Sequence, residues 1–79
     1  MQTSIQAVRA RTDEPFLERF IQAHEAFVLR CASRHAGFAV TRSDDEYSVA
    51  RLAFYEAIKG YDPESGPFGA YASLVIGRR

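Results

Sequence analysis

The sequence predicts an all-α fold, a small bundle of about three helices with the last one cut short. Apolar residues recur at spacings of three and four in three separate stretches. Residues that start or stop helices bound these stretches. At 79 residues and 47% apolar composition the chain can bury one core but is too short for two ordinary domains.

Residues 1–12 have no sustained apolar period and read as a flexible lead-in, leaving 13–79 as one helical domain. The first helix should start at Thr12 or Asp13, either of which can cap it, with Pro15 in the first turn where its missing N–H costs nothing. Phe16, Phe20, Phe27 and Cys31 form its stripe, widened by Leu17, Ile21, Val28 and Ala32, and Gly37 stops it. Phe38 and Val40 should tuck under this helix. The second helix opens on Ser43-Asp44-Asp45-Glu46, which reads as a capping box with Ser43 as N-cap and Glu46 reaching back. Asp44 and Asp45 add acids at the positive end of the helix dipole. This helix runs to Lys59, stops at Gly60, and turns Tyr47, Ala50, Phe54, Ala57 and Ile58 to the core. After a turn-rich break at 62–67 the third helix starts near Gly69, with Phe68, Tyr71, Ala72, Val75 and Ile76 as its apolar residues.

The charges balance overall but are segregated. Residues 1–42 hold six arginines against four acids, whereas 43–77 hold Arg51 and Lys59 against six acids, and Arg78 and Arg79 close the chain. An acidic middle section suits a basic protein surface better than a phosphate backbone. The single cysteine closes no internal disulfide, no run is long and apolar enough to span a bilayer, and Met1 to Asp13 contains no apolar stretch of the signal-peptide kind. The expected setting is the cytoplasm.

One helix face does not fit a solvated surface. At about 100° per residue, Asp45, Ser48, Val49, Leu52, Tyr55, Glu56 and Lys59 lie opposite the core face of the second helix. Apolar Val49, Leu52 and Tyr55 framed by Asp45 and Glu56 have the make-up of a protein-binding patch. The competing reading is that another part of the same domain covers them. Arg51 lies at the boundary, where it either stacks on Tyr47 or Tyr55 or is solvated.

Sites for chemistry are sparse. His24, Cys31 and His35 share one side of the first helix, but a structural zinc needs four ligands and no fourth Cys or His exists. The reading is a buried thiol with two flanking histidines, and no metal. A Cys31–His pair lacks an oxyanion-forming loop. Asp44, Asp45 and Glu46 are explained by capping, and Gly66-Pro67-Phe68-Gly69 is followed by no Gly-Lys-Ser/Thr phosphate loop. No enzyme activity and no cofactor are expected.

Several segments, in order, resemble a known family. These are the acidic start Asp44-Asp45-Glu46 followed by Tyr47-Ser48-Val49, the core Ala53-Phe54-Tyr55-Glu56-Ala57-Ile58, the turn Tyr61-Asp62-Pro63-Glu64-Ser65-Gly66, and Phe68-Gly69-Ala70-Tyr71-Ala72 leading to Ile76-Gly77-Arg78. They are similar to region 2 of bacterial RNA polymerase sigma factors, and most of all to the sigma-I subgroup. That subgroup's first helix is also similar to 16–33, where Glu25-Ala26-Phe27-Val28-Leu29-Arg30-Cys31-Ala32-Ser33 stands. The resemblance implies an all-helical domain whose second conserved helix docks on the clamp helices of the largest polymerase subunit. The docking positions it implies here are Asp45, Ser48, Val49, Arg51, Leu52 and Tyr55, most of which the helical geometry also singles out. It further implies promoter DNA as a partner of the full-length factor, with Arg78 and Arg79 at the start of the DNA-contacting part, and control by a membrane-bound anti-sigma factor.

Departures from the family pattern bear on the docking surface. Ala50 replaces a frequent Gly, and Arg51 and Tyr55 replace the usual apolar and Asn residues. Leu74 and Val75 stand where primary sigma factors carry a Trp pair used in promoter melting. Two competing readings are a stand-alone interaction module that binds an anti-sigma factor or other regulator, and an independent DNA-binding domain, which the acidic middle disfavours. Leu74, Val75 and Ile76 on a shortened helix also raise self-association as an expectation.

Overall fold

A computed structural model describes residues 2–78, with the side chains of 4–64 and 66–78. Five α-helices and one 3-10 turn account for it: α1 (Gln2–Ala10), α2 (Glu14–Ala23), α3 (Glu25–Ala36), α4 (Asp45–Gly60), the 3-10 turn Pro63–Ser65 and α5 (Phe68–Gly77). No strand occurs among the described residues. None of their helices is long and apolar enough to cross a membrane.

Asp13 caps α2 as expected, its Oδ1 accepting the Phe16 N–H at 3.2 Å, with Pro15 in the first turn. Gly37 ends α3 in the left-handed region at φ 81°, where a Cβ would be strained. Between these ends the single long helix expected from the stripe is two helices. His24, at φ −104° and ψ 16°, breaks the ladder. Its N–H is shared between the carbonyls of Phe20 and Ile21. Its Nδ1 donates a second bond to the Phe20 carbonyl at 2.9 Å. A side chain that competes for a helix carbonyl is a known cause of kinks. The kink leaves the apolar period intact across the break, so α2 and α3 bury Leu17, Phe20 and Ile21 and then Val28, Cys31 and Ala32.

The lead-in expected over 1–12 is also corrected, because α1 occupies most of it. Ala7 and Ala10 are fully buried. Ser4 Oγ accepts the Phe68 N–H at 3.0 Å and so caps α5, which has no cap of its own because Pro67 precedes it. Farther along, Arg11 donates to the Tyr61 carbonyl at 2.6 Å, and Lys59 donates to the Arg11 carbonyl at 3.1 Å.

The capping box at 43–46 does not form. The N-cap of α4 is Asp44, one residue later than expected, and it makes no side-chain cap bond. Its Oδ2 turns back to accept the Thr41 N–H at 2.8 Å and the Thr41 hydroxyl at 3.2 Å. The carboxylate therefore closes the preceding turn instead of the helix. In that connection Val40 is buried and its N–H donates to Ser33 Oγ at 2.9 Å, but Phe38 points outward and is half exposed.

The core centres on α4, which lies between α3 and α5. Phe54 is fully buried, with the rings of Phe20, Phe27 and Phe68 at 6.0, 6.1 and 5.6 Å. Ala50, Ala53 and Ala57 line the same face, and their small side chains let the flanking helices approach closely. Tyr47, expected in the core, is half-buried at its edge.

A candidate docking face on the fourth helix

Inward packing of Ala50, Ala53, Phe54, Ala57 and Ile58 fixes the rotation of α4 about its axis. The opposite side must then carry Asp45, Ser48, Val49, Leu52 and Tyr55, since side chains recur on one face every three or four residues. All five are exposed. Val49, Leu52 and Tyr55 keep 45%, 51% and 37% of their surface open. The other described residues therefore leave much of these three side chains uncovered.

Two grooves flank this ridge. The first lies between α4 and the C-terminal ends of α3 and α5, lined by Ala32, His35, Asp45, Glu46, Val49 and Ile76. The His35 ring sits so close to Gly77 that an added Cβ there would lie 2.6 Å from it. The second groove lies between α4, α2 and the 38–44 connection, lined by Glu18, Ile21, Arg42, Tyr47, Arg51 and Leu52. Arg51 is exposed, and its Nη2 is 4.0 Å from Glu18 Oε2. Arg42 pairs with Glu25 at 3.3 Å. The cation over the Tyr55 ring is Lys59, its Nζ 5.5 Å from the centroid.

The structure thus brings Asp45, Ser48, Val49, Arg51, Leu52 and Tyr55 together on one helix. The groove walls, Glu18 and Arg42 on one side and His35 on the other, escape sequence reasoning. They come from elements far apart in the chain, and no spacing rule links position 18 to position 51.

Elsewhere, Cys31 is fully buried, and Arg34 Nη2 lies 3.7 Å from its Sγ. His24 is half-buried against Phe20, with ring centroids 4.3 Å apart, and His35 is exposed. No group of three or more His, Cys, Asp or Glu among the described residues is placed to hold a metal ion. Arg78 is exposed at the end of α5, and Arg79 lies outside the described residues. Leu74 is half exposed, whereas Ile76 is buried and Val75 partly so.

Comparison with known proteins decides the family. The Sigma-70 region 2 family matches residues 20–79, which include the whole of α3, α4 and α5. This chain belongs to the Sigma-70 region 2 family. Among its relatives, RNA polymerase sigma factor SigI7 of Acetivibrio thermocellus is 30% identical over 76 residues, covering 95% of this chain and 32% of that protein. SigI1 of the same organism is 41% identical over 64 residues, 78% of this chain and 25% of that protein. SigI of Bacillus subtilis is 37% identical over 60 residues, 75% of this chain and 24% of that protein. The region 2 chain therefore spans about a quarter to a third of the length of these curated relatives. No solved structure gives a significant match. Each of these relatives is named as an RNA polymerase sigma factor of the SigI type.

Proposed function

We propose that this chain is the region 2 segment of a sigma-I-type sigma factor. In this reading it docks on core RNA polymerase, against the clamp helices of the largest subunit, and serves promoter-specific initiation without covalent chemistry. The exposure of Val49, Leu52 and Tyr55 on one face of α4 carries the reading. Large apolar side chains grouped on a helix and framed by polar ones favour protein association. Asp45, Ser48 and Arg51 supply the polar surround. Promoter DNA is contacted by the full-length factor beyond α5, with Arg78 and Arg79 at the start of that part. A membrane-bound anti-sigma factor regulates the factor through the same region.

Val49→Glu and Leu52→Asp test the reading. Each should lower affinity for core polymerase at least about tenfold, as expected for residues at the centre of an interface. The helical circular-dichroism signal should stay unchanged. Wild-type affinity in both variants would overturn the docking face. The chain alone should bind duplex DNA weakly at about 0.15 M salt, where non-specific phosphate contacts are already attenuated. Tight duplex binding under those conditions would favour a DNA-binding domain instead.

A further inference from the structure

The charges beside the α4 ridge are sorted by side. Toward α3 and α5, Asp45 and Glu46 line the groove with exposed carboxylates, and neither forms an ion pair among the described residues. Toward α2, the groove carries the exposed guanidiniums of Arg42 and Arg51 together with the Glu18 carboxylate, so cations outnumber acids in its lining. Glu25 holds Arg42 at 3.3 Å, while the Arg51–Glu18 contact is looser at 4.0 Å and both partners are well exposed. A guanidinium has five N–H donors, so one long contact leaves Arg51 with donors for a partner. The apolar ridge of Val49 and Leu52 runs between the two sides.

Resting on the docking reading above, we infer that this face is electrically polarised and accepts its partner helix in one orientation. The partner is amphipathic. It sets apolar side chains on Val49 and Leu52, a basic side chain over Asp45 and Glu46, and an acidic side chain over Arg51. Such complementarity selects orientation and partner more than it raises affinity. The acidic excess of 43–77 would by itself call for a uniformly basic partner. The placement of Arg51 on the α2 side argues against that.

Charge reversal on each side separates the two cases. Core polymerase binding is measured for the wild-type chain, Asp45→Lys, Arg51→Glu, Arg51→Gln and Leu52→Asp at low and high salt. A polarised partner loses affinity with both reversals. The expected loss is about three- to tenfold near 0.05 M salt, shrinking toward none near 0.5 M as the charges are screened. Arg51→Gln, which removes the charge without reversing it, should lose less than Arg51→Glu. A uniformly basic partner would bind Arg51→Glu more tightly than wild type, and a uniformly acidic one would bind Asp45→Lys more tightly. Either gain, or no change in both reversals, overturns the polarity. If Leu52→Asp binds poorly in that case, the docking face stands and only its polarity is wrong. If Leu52→Asp also binds like wild type, both inferences fall.

Discussion

The two faces of α4 use the same chemistry to opposite ends. The inner face packs Ala53, Phe54, Ala57 and Ile58, none of which keeps measurable exposure. The outer face carries Val49, Leu52 and Tyr55, which are as apolar and, apart from Phe54 and Ile58, larger than the inner residues. Apolar character alone therefore does not decide which side of a helix is buried. Size does much of it here. Alanines let α3 and α5 close onto one side, and the described residues leave the bulky side chains on the other side only partly covered. What remains open among the described residues is an apolar ridge, which the proposed docking reading assigns to a partner.

Removing the centre of the inner face should have the largest effect. Phe54→Ala deletes a fully buried ring packed against those of Phe20, His24, Phe27 and Phe68, which typically costs about 3–5 kcal/mol. Domains of this size hold only a few kcal/mol in reserve. The variant should therefore be largely unfolded in thermal melts followed by circular dichroism. Overfilling the inner face comes next. Ala53→Leu forces extra methylenes between closely packed helices, for about 1–3 kcal/mol and a lower melting temperature. Asp13→Ala, which removes the α2 cap, should cost about 1 kcal/mol. Leu52→Ala should change stability by less than about 0.5 kcal/mol, because its side chain is half exposed. A large loss there would mean that the outer face supports the fold after all.

The helical pattern made most of this architecture legible. The Asp13 and Gly37 boundaries, the inner face of α4 and its anomalous outer face all follow from spacing and residue type. The misses have physical causes. α1 was invisible because it docks through Ala7 and Ala10, while its larger Ile5 is 70% exposed, so the apolar period points the wrong way. Two bonds that hold it and the residue after it, Ser4 to Phe68 and Arg11 to Tyr61, join residues about 50 to 64 positions apart. The His24 kink preserves the stripe on both sides, so a period count reads straight through it. Asp44 had two local acceptors' roles open to it, and the Thr41 turn won over the helix end. The exposed apolar ridge is readable because it lies on one helix, whereas the grooves beside it require the tertiary fold.

A photo-reactive amino acid in place of Leu52 tests the docking face most directly. Incubated with core RNA polymerase and irradiated, it should cross-link to the clamp helices of the largest subunit, while the same group in place of the exposed Gln22 on α2 should not. No cross-link from position 52, or one confined to another subunit, would contradict the account.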